Sequence, residues 1–313
     1  MTSAPAYMTS APAYSAAWPP PNFLGLPPQH CDWEESQALL LPIPYEASTS
    51  YGGGTKAGPR AILEASAQVE LYDAEFGCEP AVRWGIHTLP ALATEMGNAE
   101  SAINQIDWVV GELIGSGKLL GILGGEHTIS AGTARALGRI LGPVVTVQLD
   151  AHADLRDTYE GSRYSHACAA RRMLEAGPLV QLGIRSLDIS EAEFLATHPT
   201  EVLSISADEM HANGDCKQRV VERIRNRTVF LTLDVDALDP SIMPATGTPE
   251  PGGLSWHQML DTIRLVAAHS HVAAFDCVEL SPIAGLHAPN FAAAKLVYKT
   301  LSILLHARAL AGS

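Results

Sequence analysis

Positive charge is scarce in this sequence: 20 lysines and arginines stand against 34 aspartates and glutamates, a formal net charge of −14. A nucleic-acid binder needs a basic footprint, so that class is excluded. Paired cysteine is also missing. Cys31, Cys78, Cys168, Cys216 and Cys277 are scattered, odd in number and free of any C-x-x-C spacing. That fits neither a disulfide framework nor a zinc ribbon, and it suits a reducing cytoplasm. No uninterrupted apolar run is long enough to span a bilayer, and the N-terminus lacks the charged and apolar sections of a secretion signal. A cytoplasmic protein with no membrane partner is the expectation. The acidic balance serves solubility in any case, and it also suits a cationic substrate, which an acidic cleft would concentrate.

What is present is a chain able to fold. Hydrophobic residues make up 47% of the sequence and charged ones only 17%, enough to bury a sizeable core. Residues 1–14 read MTSAPAY twice, a repeat too short for a solenoid and better explained as a duplicated start or a cloning artefact. With Pro19-Pro20-Pro21 following, residues 1–36 are expected to form an extended or disordered arm, free to pack on a neighbouring subunit. Residues 37–313 are expected to form one domain, since composition does not break between 40 and 308. Within it, the runs 38–43, 119–123, 144–149, 180–184, 229–233 and 272–275 are continuously apolar rather than alternating, as strands covered on both faces must be. Amphipathic segments at 101–116, 129–140, 164–176, 215–226, 255–269 and 287–308 lie between or beyond them. This rhythm predicts an α/β fold, a three-layer α/β/α domain around a central, mostly parallel sheet.

Three clusters of acidic and imidazole side chains follow predicted strands: Gly124-Gly125-Glu126-His127-Thr128, Asp150-Ala151-His152-Ala153-Asp154, and Asp234-Val235-Asp236-Ala237-Leu238-Asp239-Pro240. Open α/β sheets place their sites at the C-terminal ends of strands. A single Asp there is usually a cap or turn former, and a single His usually a satisfied core residue. Three clusters at three strand ends are another matter. Several carboxylates converging on one spot repel one another and resist desolvation unless a cation neutralises them. Mixed carboxylate and imidazole shells suit first-row metals such as manganese. Alternate residues of an extended segment share a face, so Asp150, His152 and Asp154 can aim at one point, as can Asp234 and Asp236. With His127 these make six ligands, about right for a pair of ions.

These segments resemble the three signature motifs of the ureohydrolases, the arginase and agmatinase family. Order and spacing are kept from about Pro42 to the C-terminal helix. Ala57-Gly58-Pro59-Arg60-Ala61-Ile62, the run Thr246 to Ser255 and Val278-Glu279-Leu280-Ser281-Pro282 resemble the family as well. Glu126 stands where many members carry Asp, and Thr128 where many carry Ser; neither is a family ligand. The resemblance implies an arginase/deacetylase-like fold and two Mn2+ per chain, with Ni2+ or Co2+ fitting the same ligands. His127, Asp150, Asp154 and Asp234 would hold one ion, and Asp150, His152, Asp234 and Asp236 the other. It also implies hydrolysis of a guanidino group to urea and an amine, with Asp154 moving a proton to the departing nitrogen, Glu279 orienting the guanidinium and Thr248 offering a hydroxyl. His166 would be the proton shuttle, and the chain a homo-oligomer, a trimer or hexamer.

Eleven residues separate Asp154 from His166. That loop, with its Tyr-Ser-His ending, resembles the agmatinase version and lacks the Asn, Ser and Thr groups with which arginases bind an amino-acid carboxylate. Agmatine, cleaved to urea and putrescine, is the expected substrate. Asp157, Glu160, Asp188 and Glu250 are candidate partners for its far ammonium. Arg163 weighs the other way, towards a guanidino acid such as guanidinobutyrate. Guanidine, arginine and formimino compounds are the further alternatives within the family. A deacetylase-like hydrolase would lack the second Asp of each pair, and an inactive binding homologue would have lost ligands; this sequence keeps all six. Cys168, without a Cys/His/Asn arrangement around it, reads as a packed thiol.

Overall fold

A computed structural model of the chain describes residues 21–94, 97–212 and 214–311. Eight strands form one sheet: β1 (Ala38–Ile43), β2 (Ile86–Thr88), β3 (Leu119–Gly124), β4 (Val145–Leu149), β5 (Leu179–Ile184), β6 (Val202–Ser206), β7 (Thr228–Asp234) and β8 (His271–Val278). Their order across the sheet is β2-β1-β3-β8-β7-β4-β5-β6. Every pairing is parallel, so the sheet goes beyond the mostly parallel arrangement expected.

The continuous apolar runs are explained by two cores. Along β1, Leu39, Leu41 and Ile43 pack into one cluster, and Ala38 and Leu40 into the other. In β7, Val229, Leu231 and Leu233 face one side and Phe230 the opposite side. Alternate side chains serve opposite faces, and both faces are covered. One layer contains α3 (Ala99–Ile114), α4 (Ile129–Leu141) and α5 (Ala169–Met173). The other contains α1 (Gly58–Ser66), α2 (Pro80–Trp84), α8 (Cys216–Ile224), α9 (Trp256–His269) and α10 (Ala288–Ala311). The helices α6 (Ile189–Thr197) and α7 (Ala207–His211) flank β6. The helix expected over 164–176 is a shorter one, α5, between two 3-10 turns. Among the described residues no helix is long and apolar enough to cross a membrane.

The expected N-terminal arm is described only from residue 21 onward. The duplicated MTSAPAY lies outside the described residues, but Phe23, Leu24 and Leu26 are buried in the core. The Phe23 N–H donates to Thr88 Oγ1 at 2.9 Å and the Leu24 N–H to Ser66 Oγ at 2.8 Å. The Phe-Leu-Gly-Leu stretch inside a proline-rich segment carries enough apolar surface to be drawn against α1 and β2. Phe23 is fully buried, so Phe23→Ala is expected to lower the unfolding free energy by about 3–5 kcal/mol. A denaturant midpoint unchanged from that of the parent would separate this segment from the cooperative unit.

Candidate metal centre

Four neighbouring strands, β3, β8, β7 and β4, bring the motifs together at the C-terminal edge of the sheet. Register aligns them: Leu123 pairs with Cys277, Cys277 with Leu233, and Leu233 with Leu149. Just beyond that row the chain delivers His127, Glu279, Asp234 and Asp150. After β3 the backbone at Gly125 passes so near Tyr45 that a Cβ would lie 2.0 Å from the Tyr45 carbonyl oxygen. Only glycine fits there, and the turn it permits places Glu126 and His127.

Five of the six expected ligands fall into two groups, and the sixth, Asp154, stands outside both with its Oδ2 3.2 Å from His127 Nδ1. Two groups have ligand atoms within 4.8 Å of one another, His127 with Asp150 and Asp234, and Asp150 with His152 and Asp236. Asp150 is common to both. Its Oδ2 accepts from Gln148 Nε2 at 2.7 Å and its Oδ1 from the His152 N–H at 2.6 Å. Asp236 Oδ1 accepts from the Ala151 N–H, and Asp234 Oδ1 from the Asp236 N–H, both at 2.9 Å. These bonds fix the carboxylates before any cation is considered, the arrangement by which outer partners orient metal ligands.

His127 provides the test of fit. Its Nε2 is 2.9 Å from Thr232 Oγ1. Its Nδ1 is buried and faces Asp150, Asp154 and Asp234 oxygens at 3.0, 3.2 and 3.3 Å, yet it makes a hydrogen bond to none. A buried nitrogen among three carboxylate oxygens with no bond of its own is in the position of a metal ligand. Electrostatics agree. Burial raises the carboxyl pKa of Asp234, with Asp236 and Asp150 adding to it, and burial together with Asp150 raises that of Asp154. Burial disfavours both imidazolium ions, but the surrounding carboxylates prevail: His127 is raised well above its ordinary value and His152 is pushed up to about 12. Against its own burial, Asp150 is held below the carboxylate range by the two histidines. Carboxylates and imidazoles this close call for positive charge among them, which a pair of divalent ions would supply with release of protons. The ligands and the chemistry of the donor set fit a metal pair.

Two site residues carry backbone strain. Asp154 (φ 52°) and Glu279 (φ 66°) lie in the left-handed region without being glycine, a costly conformation that clusters at functional sites. Glu279 is buried, its Oε1 accepts from the His127 N–H at 2.6 Å, and burial followed by the charge of Glu126 raises its pKa well above the ordinary value although that amide opposes the shift.

A cavity of about 240 Å³ opens over these groups, lined among others by His152, Asp154, His166, Asp234, Asp236, Thr248 and Glu279. Of the weaker sequence candidates, Thr248 is in the lining, and Asp157, Glu160, Arg163, Asp188 and Glu250 are not. Arg163 pairs with Glu175 at 2.9 Å. Asp188 caps α6. Glu250 gives its carbonyl to Arg185 at 2.7 Å. Sequence reasoning missed Ser50, Tyr51, Arg156, Tyr159 and Glu191, which also line the cavity; only Arg156 and Tyr159, inside the short loop after Asp154, left a signal that could have been read.

Residues 36–302 match the family described as Arginase, Arginase family. The chain is similar to the N(1)-aminopropylagmatine ureohydrolase of Synechocystis sp., 38% identical over 275 residues that cover 86% of this chain and 89% of the relative. It is also similar to the agmatinase of Pyrococcus horikoshii, 30% identical over 279 residues covering 87% and 93%. Among solved structures, the agmatine ureohydrolase of Thermoplasma volcanium superposes with a TM-score of 0.77 at 31% identity, covering 87% of this chain and 90% of that one. A match that begins two residues before the first apolar run and ends inside the last helix takes in every described strand and all six expected ligands, and the chain therefore belongs to the Arginase family of ureohydrolases.

Proposed function

We propose that this metal-dependent hydrolase cleaves the guanidino group of agmatine, releasing urea and putrescine. The charge of the cavity is the observation that carries the reading. Beyond the expected metal ligands its carboxylates are Glu191 and Glu279, against a single guanidinium, Arg156. That guanidinium already lies 3.7 Å from Glu191 and 4.0 Å from Asp188, and it covers the Tyr159 ring at 4.9 Å. Such a lining favours a cation at both ends of the substrate and offers an amino-acid carboxylate poor compensation for lost water.

The guanidinium carbon is a weak electrophile because its charge is spread over three nitrogens, so the nucleophile and its placement matter. Bound metal ions supply hydroxide near neutral pH. Glu279 holds the guanidinium by a planar, charge-assisted contact, Asp154 carries the proton to the departing nitrogen, and His166 exchanges protons between cavity and solvent. Manganese is the metal proposed, on the mixed oxygen and nitrogen donors, with nickel or cobalt compatible. A homo-oligomer acting in the cytoplasm completes the proposal.

A second reading, N(1)-aminopropylagmatine as substrate, is favoured by one observation: the relatives of that name reach 38% identity, against 30–31% for the agmatinases. A urea-release assay across agmatine, N(1)-aminopropylagmatine, arginine, guanidinobutyrate and guanidine tests both. For agmatine, kcat/KM is expected to exceed that for arginine at least about tenfold, roughly 1.4 kcal/mol of transition-state binding. Arg163→Ala should leave agmatine turnover within a few-fold, since its partner is Glu175. Faster urea release from guanidinobutyrate or guanidine than from agmatine would overturn the substrate and leave the reaction class standing.

A further inference from the structure

Glu126 is fully buried one residue before His127, and the chemistry described so far gives it no task. Its two oxygens accept four hydrogen bonds. Oε2 takes the N–H groups of Ala47 and Ser48, each at 2.7 Å. Oε1 takes the Ser48 hydroxyl at 2.8 Å and the Thr128 hydroxyl at 2.6 Å. This carboxylate therefore anchors the segment that runs along the cavity as Thr49, Ser50, Tyr51 and Gly52.

Ser48 continues the chain of contacts. Its Oγ accepts from the His166 N–H at 3.0 Å and lies 3.3 Å from His166 Nδ1. A serine hydroxyl has one proton and two lone pairs. With that proton committed to Glu126, the contact with Nδ1 is attractive only if Nδ1 carries a hydrogen. Ser165 Oγ, also 3.3 Å from Nδ1, accepts a share of the same hydrogen. With Nδ1 as the donor, Nε2 is the ring's acceptor, and the Ser50 hydroxyl lies 2.9 Å from it and 3.4 Å from the Tyr159 hydroxyl. The Tyr159 ring stands edge-on to the imidazole with centroids 5.8 Å apart, completing the frame.

We propose that Glu126 and Ser48 form a positioning relay behind His166, holding the ring with its proton on Nδ1 so that Nε2 is the atom that exchanges protons in the cavity. Neither relay residue touches the substrate. The relay rests on the reading of His166 as the proton-transfer group, so the experiment separates the two. Turnover is measured by urea release from agmatine, or from the best substrate of the panel above, for the metal-loaded parent, Ser48→Ala, Ser48→Thr, His166→Ala and the Ser48→Ala/His166→Ala double variant. Ser48→Ala is expected to lower kcat roughly ten- to a hundredfold, the usual size of losing an orienting partner, with KM within a few-fold and metal content unchanged. Ser48→Thr, which keeps the hydroxyl, should recover most of the rate. Because Ser48 acts through His166, adding Ser48→Ala to His166→Ala should change kcat by less than about twofold, whereas independent residues would multiply. Multiplying effects, failure of threonine to restore the rate, or a parent-like Ser48→Ala alongside a slow His166→Ala would overturn the relay alone. A parent-like His166→Ala would overturn the proton-transfer reading and the relay with it.

Discussion

Asp150→Ala or Asp234→Ala is expected to abolish urea release and to lower the metal content of the purified protein. Asp150 is shared by both candidate ligand groups, and each of its oxygens is also held by a donor within the site. Its loss strips a ligand from both groups and leaves His127 and His152 facing fewer carboxylates. Asp234 presents Oδ2 to His127 at 3.3 Å while Oδ1 fixes the Asp236 amide, so its removal also loosens the neighbouring ligand. Cys168→Ala is the control. The Cys168 thiol is buried, 3.8 Å from the Ser162 carbonyl, and burial followed by the charge of Asp154 pushes its pKa up to about 11. It stays a thiol at neutral pH and has no nucleophilic part to lose, so that variant should keep substantial turnover. Metal analysis beside the assay checks both halves; full activity in a metal-depleted Asp234→Ala protein would defeat the two-metal reading.

His166→Ala is expected to lower kcat by roughly a hundredfold or more, the usual contribution of an acid/base group, with metal content unchanged. The ring contacts Ser48, Ser50, Ser165 and Tyr159. Separating rate from metal content is what makes the variant informative. A large loss of metal would reassign His166 as a ligand, and an unchanged rate would deny it any proton transfer.

The buried strands and the carboxylate clusters were legible in the sequence because each leaves a local pattern. A strand covered on both faces is mostly apolar along its length, and β1, β3, β4, β5, β7 and β8 all are, with Thr146, Gln148, Gln181, Thr232 and Asp276 as buried polar exceptions. The two missed strands, β2 and β6, are the edges of the sheet. Three residues of Ile-His-Thr carry no periodicity, and in β6 three of five residues are only partly buried. The buried Phe23 was missed for a related reason: proline-rich surroundings mask an apolar stretch that packs without forming a regular element. The clusters were visible as residue types, but their convergence was not. Only strand order shows that β3 lies beside β8, and β7 beside β4. The contacts of Ser48 and Glu126 with the His166 loop were invisible, since 118 positions separate Ser48 from His166 and a serine in a turn announces nothing.

That strand order also governs when the site can exist. The centre of the sheet joins β3 to β8 and β7 to β4, partners far apart along the chain, so its closure must wait for long loops to be brought in at an entropic cost. His127 and Asp234 have no common neighbourhood until then. A half-folded chain therefore offers isolated carboxylates rather than a pocket for two cations, and tight metal uptake becomes a marker of the finished sheet. Ions that bind only the completed fold draw the folding equilibrium towards it by mass action. In this chain chemical competence requires the longest-range pairing of the sheet, β3 with β8.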